Sequence, residues 1–160
     1  MVIYQLSIKT MNRTLSIIDA ILIHGIRRIS EPLARLSLFI VFFWFGILKV
    51  IGTSPAAGLV TELFNKTFLA DWMTAATFLI ILGLVEMIIG IFFVLPHFER
   101  VAIFIMILHM ITTFLPILLL PHVAWQMPWT PTIEGQYIIK NVVLVAMAIG
   151  IAAHLRPWRR

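Results

Sequence analysis

The chain has 160 residues, of which 61% are hydrophobic and 12% charged, with a formal net charge of +5 and no cysteine; its mean hydropathy is +1.05. Against the roughly 25% charged residues of a soluble domain, this composition excludes a water-soluble globule and describes a membrane protein. The missing cysteine excludes disulfides, thiolate metal sites and thiol redox chemistry within the chain, and the scattered basic residues form no aromatic-interleaved stripe for nucleic acid.

The first 31 residues stand apart from the rest. Residues 12–30 place Leu15, Ile18, Leu22, Ile26 and Ile29 on one helical face and Arg13, Ser16, His24, Arg27 and Ser30 largely on another, which predicts an amphipathic helix on the inner leaflet. Asp19 and His24 interrupt the apolar stretch and no small-x-small cleavage site follows, so 1–31 reads as a cytoplasmic-side segment rather than a cleaved signal. Residues 32–160 are then an all-α membrane domain, an integral four-helix bundle. A span needs about 20 apolar residues, and the stretches near 33–51, 72–95, 101–120 and 137–154 supply them.

The breaks between spans are chemical. Gly52, Thr53, Ser54 and Pro55 stop the first, and "SPAAGLVTELF" follows with a Ser cap and a Pro at the first helical position, which predicts a short helix. "PHFER", Pro96 to Arg100, turns the second span into the third. Pro116 is expected to kink the third span or end it early. Pro121, Pro128 and Pro131 predict an irregular connection into the fourth.

Charge sets the expected topology. Lys9, Arg13, Arg27, Arg28, Arg35, Arg100, Arg156, Arg159 and Arg160 fall on one side, whereas the opposite loops, 52–71 and 121–136, hold Lys66 beside Glu62, Asp71 and Glu134. The positive excess marks the cytoplasmic side, so both termini are expected there. Trp72, Trp125, Trp129 and Tyr137 fall near the other boundary, where amphipathic rings sit among headgroups.

Glu86 lies inside "FLIILGLVEMIIGIFFVL", where no water hydrates it. A charge near the bilayer centre costs about 2.5–3.5 kcal/mol on insertion scales, so the carboxylate is expected to face the bundle interior and have a partner. Gly83, Glu86 and Gly90 share a face, which leaves room for a neighbouring helix. Hairpin symmetry names the first candidate: Glu86 lies eleven residues before His97 and His109 eleven after Phe98, which puts them at similar depth. Lys49 is the second, offset along the membrane normal by roughly 6–10 Å. Glu86, His109 and Lys49 thus form a candidate intramembrane polar centre.

Lys140, Asn141, Glu134 and Gln136 are candidates for an outer-side pocket, in which Lys140 and Lys49 supply positive charge. Blander roles stand beside these: Lys49 and Lys140 snorkelling outward, His109 bonded to a backbone carbonyl, Asn141 as interhelical glue beside Ala146 and Gly150. The methionines and "LFIVFFWFG" read as core filler or lipid-facing surface. No Gly-rich phosphate loop, nucleophile elbow or zinc motif is present, so no metal site is expected and no catalytic residue is assigned. Haem b on paired intramembrane histidines is not expected either, because His109 alone is deep.

Three stretches carry a resemblance: "RLSLFIVFFWFGILKV" with Lys49, "GLVEMIIGIFFVLP" with Glu86, and "TIEGQYIIKNVVLVA" with Glu134, Gly135, Gln136, Lys140 and Asn141. Through them, residues 30 to 158 closely resemble the YkgB/RclC-type inner membrane proteins and, more distantly, the DoxX-like four-helix membrane proteins. The resemblance implies a four-helix bundle in the bacterial inner membrane. It also implies a part in reactive chlorine resistance or in quinone-linked membrane redox complexes, so a quinone is the one cofactor it suggests. Three functions are therefore carried forward. They are an accessory in oxidative or reactive chlorine stress defence or membrane redox chemistry, a proton-coupled small-solute transporter or channel, and a structural scaffold of a membrane complex. The expected partners are the lipid bilayer and either further copies of the chain or a membrane redox partner.

Overall fold

The computed structural model describes residues 2–157, with side chains from residue 15 onward; Lys9, Arg13, Arg159 and Arg160, counted above for topology, lie outside the described side chains. Six α-helices dominate: α1 (Val2–Val50), α2 (Ala57–Phe64), α3 (Ala75–Val94), α4 (Glu99–Leu119), α5 (Pro121–Ala124) and α6 (Ile133–His154), with a 3₁₀ turn at Phe68–Asp71. Trp125–Met127 (β1) and Thr130–Pro131 (β2) pair antiparallel as a small hairpin. α1, α3, α4 and α6 are long and apolar enough to cross a membrane, and only 17–28% of their most apolar windows is buried. The remainder presents side chains such as Ile80, Leu84, Ile88, Phe104, Ile107, Ile111, Val143 and Ile149 outward. So large an apolar surface is tolerable against acyl chains and not against water.

The chain divides into two units, Met1–Leu33 and Ala34–Arg160. In the first, every residue from Leu15 to Ser30 is exposed, the apolar arc of Leu15, Ile18, Leu22, Ile26 and Ile29 included. Pro32, expected near the boundary between the amphipathic helix and the first span, lies inside α1 and does not end it.

In the second unit, Leu38 and Phe42 of α1, Ile89 and Phe93 of α3, Ala102, Met106 and Met110 of α4, and Ala148 and Ile151 of α6 form the apolar core. Phe42 and two methionines of the expected filler are thus core, whereas Trp44 and Phe45 face outward. α1 ends in a Schellman arrangement: Thr53 N–H donates to the Leu48 carbonyl at 2.9 Å and Gly52 N–H to that of Lys49 at 3.3 Å, with Gly52 at φ +79°. The Thr74 hydroxyl caps α3 by accepting from Thr77 N–H at 3.2 Å. The Thr132 hydroxyl caps α6 by accepting from Gly135 N–H at 3.0 Å, and it also donates to the Val123 carbonyl at 2.5 Å.

Several expectations are corrected. Pro116 does not end α4 early; the helix runs on to Leu119, and the Pro116 carbonyl still accepts from Leu120 N–H at 2.9 Å. The connection after α4 is ordered rather than irregular. Its prolines sit where a missing N–H costs little, Pro121 at the start of α5 and Pro131 on the two-residue edge strand β2. The short helix after Pro55 exists but begins at Ala57, and the Ser54 hydroxyl accepts from Ala56 N–H at 3.3 Å ahead of it. Ala146 and Gly150 are exposed, with nothing near the position a Gly150 side chain would take, so they glue no helices among the described residues.

Candidate functional site

The site is built where α1 and α3 touch backbone to backbone. A β-carbon added to Gly83 would stand 2.6 Å from the Gly46 carbonyl oxygen, and one added to Gly46 would stand 2.6 Å from that of Gly83. Any side chain at either position would prise the helices apart. The helices run antiparallel, so with Gly46 opposite Gly83 the α-carbons of Lys49 and Glu86 differ in height by six residues, about 9 Å.

That offset is closed by side-chain direction. Side chains on a helix lean toward its N-terminus, so Lys49 leans deeper into the bundle while Glu86, on the oppositely directed α3, leans up to meet it. Lys49 Nζ donates to Glu86 Oε2 at 2.6 Å. The other carboxylate oxygen is also used: His109 Nε2 of α4 lies 3.1 Å from Glu86 Oε1. The three side chains are only 5–9% exposed. Hairpin symmetry and the lysine alternative thus describe one site, in which a single carboxylate bridges an ammonium and an imidazole from three spans.

The imidazole is fixed from its own helix and from α1. Its ring meets Phe42 edge-on, with centroids 5.9 Å apart. The Thr113 hydroxyl stands 3.4 Å from Nε2 and donates to the His109 carbonyl at 3.0 Å, to which the Thr112 hydroxyl also donates at 2.7 Å. An Nε2–H aimed at Glu86 defines the tautomer this geometry requires. No buried side-chain nitrogen or oxygen among the described residues lacks a hydrogen-bond partner. Nor does any group of three His, Asp or Glu residues among them form a metal site.

The outer-side group does not assemble in the same way. Lys140, Glu134 and Gln136 are exposed and Asn141 half-buried on α6. Lys140 Nζ lies 5.6 Å from the Tyr137 ring centroid, whereas Lys49 is committed to Glu86. The two amines therefore serve different partners and form no common pocket; Lys140 sits one turn from Tyr137 on an outward face, and Lys49 turns inward. Trp72 and Trp129, 82% and 92% exposed, and Tyr137 lie at the hairpin-bearing end.

Sequence reasoning missed a second ion pair. Arg35 Nη1 donates to Glu99 Oε1 at 2.5 Å, with both side chains mostly buried. Nearby, Arg100 donates to the Arg156 carbonyl, so the end away from the hairpin is tied together by arginines. Helix register carries the missing signal: with Gly46 opposite Gly83, Arg35 falls opposite Val94, beside the turn that leads to Glu99. Also missed was the contact of His122 Nε2 with Glu62 Oε1 at 2.7 Å, which links α5 to α2 on the surface.

Fold and site together define a membrane protein with four spanning helices and an ion-paired polar centre held between three of them. Comparison of the chain with family models, with curated proteins and with solved structures gave no match.

Proposed function

We propose that this is a bacterial inner-membrane accessory protein of oxidative or reactive chlorine stress defence or of membrane redox chemistry, with both termini cytoplasmic, and that Lys49, Glu86 and His109 are its proton-exchanging centre. The observation that carries the chemical half is the bridging carboxylate, one oxygen on an ammonium and the other on an imidazole, away from water. Ionisable groups are retained inside membranes at a cost, and three that converge from separate helices can pass protons among themselves with little motion. The biological half rests on the resemblance of the Lys49, Glu86 and Lys140 stretches to the YkgB/RclC-type proteins, and the cytoplasmic termini on the excess of basic residues at one end.

A deletion strain challenged with hypochlorous acid, complemented with the wild-type chain or Glu86→Gln, tests the reading. Expected are a sensitive deletion strain, rescue by the wild type, and poor rescue by Glu86→Gln per molecule of chain in the membrane. A deletion strain as resistant as its parent refutes the defence role, and full rescue by Glu86→Gln removes the carboxylate from the mechanism. The scaffold reading has its own support in the tight Gly46–Gly83 crossing beside the ion pair. Under it, Glu86→Gln lowers the abundance of the chain rather than its activity per molecule.

A further inference from the structure

We propose that α2 and the loop that joins it to α1 are a gate, closing the Lys49–Glu86–His109 centre from the hairpin-bearing end of the bundle and latched by Glu62, His122 and Lys66. The proposal rests on reading that centre as the working site.

The gate follows from a helix that stops short. Measured from the Gly46–Gly83 crossing, α1 ends at Val50 after about 6 Å, whereas α3 extends about 12 Å in the same direction to Ala75. α4 likewise continues from His109 to Leu119, about 15 Å. α3 and α4 therefore run on past the end of α1, and Lys49 is the next-to-last residue of that helix. α2 follows the end of α1 in the chain and packs against both α3 and α4, the helices that carry Glu86 and His109. Phe64 is buried and stacks on Phe78 of α3 with centroids 5.0 Å apart. Ser54, in the loop between α1 and α2, is 9% exposed.

The plug is held differently from the spans. It buries one large side chain, Phe64, and its rim is polar: Glu62 Oε1 to His122 Nε2 at 2.7 Å, with those side chains 42% and 62% exposed, and Lys66 Nζ donating to the Leu119 carbonyl at 3.2 Å. Water can replace each of these rim contacts. The root of the segment is Gly52, with φ +79° and open space around it. A segment with little buried apolar area and solvent-exposed bonds belongs to the low-stability end of a structure, from which lids are drawn. Displaced, it would bring water to Lys49 and so to the carboxylate that Lys49 holds.

The cysteine-free chain allows single reporters. Ser54→Cys, and separately Phe64→Cys from the plug side, are labelled with a small methanethiosulfonate reagent; Ala102→Cys, fully buried in the apolar core, is the control. Glu62→Gln and His122→Phe are each expected to raise the Ser54→Cys and Phe64→Cys labelling rates about two- to five-fold, the range that loss of an exposed ion pair gives, and Lys66→Met to raise them further. The Ala102→Cys rate is expected to stay unchanged. Reporter rates that do not respond to any latch variant overturn the gate, and so does an Ala102→Cys rate that climbs in step, because the whole bundle is then loosening. Labelling needs no activity, so a gate that opens as expected in a chain whose Glu86→Gln variant rescues fully would stand while the proposed centre fell.

Discussion

Replacing Glu86 with Gln keeps the shape of the side chain and removes its charge, which strands the Lys49 ammonium in a site where that side chain is only 7% exposed. Gln still offers one carbonyl oxygen to His109, so the loss falls on the lysine. Breaking a buried ion pair from one side costs about 3–5 kcal/mol, because the surviving charge keeps its desolvation penalty without its counterion. Lys49→Met alone strands the carboxylate, though His109 remains beside it, so a somewhat smaller loss is expected. The double variant Lys49→Met/Glu86→Gln removes both charges and should recover most of the stability lost by Glu86→Gln, to within about 1–2 kcal/mol of the wild type. Reversible unfolding in mixed micelles, titrated with SDS and followed by tryptophan fluorescence, measures all four corners of the cycle. Single and double variants whose losses simply add, with coupling below about 0.5 kcal/mol, would show that the ion pair contributes nothing and that Glu86 is held by packing alone.

Other consequences are measurable in the same system. Gly83→Ala sets a methyl 2.6 Å from the Gly46 carbonyl; the helices must part by about 0.8 Å to restore ordinary contact, at an expected cost of about 1–3 kcal/mol, and an unchanged unfolding midpoint would contradict the close crossing. Gly52→Ala places a β-carbon at φ +79° and should cost about 1–2 kcal/mol in the same titration, without changing the labelling of the core control. Glu99→Gln removes the charged acceptor of Arg35 and should cost about 1.5–3 kcal/mol, with Arg35→Ala adding little once Glu99 is gone; full additivity would argue against a direct pair. Reporter fusions to the two ends of the chain should both read cytoplasmic, and opposite readings would reverse the proposed orientation.

The sequence by itself determined the class of fold. Long apolar runs can satisfy their backbone only as helices, and Gly and Pro clusters punctuate them, so three spans were legible to within a few residues at each end; the first was legible only at its C-terminal end, because its helix begins well before residue 33. Depth was legible too, because rise per residue is constant and a hairpin pairs residues symmetrically about its turn; that is why Glu86 and His109 were matched from numbering alone. What linear spacing does not carry is rotation and interhelical distance. Only the packed helices decided that Gly46 and Gly83 touch, that Lys49 leans inward instead of outward, and that one carboxylate serves both partners at once. The same freedom explains the misplacements. Lys140, at the same nominal level as Lys49, faces outward because α6 presents its other faces to the bundle. Ala146 and Gly150 have the spacing of a helix contact without a helix of the described residues against them. α2, unremarkable as a short loop helix in the sequence, packs against α3 and α4, which run on past the end of α1, a comparison of helix ends that exists only once the helices stand side by side.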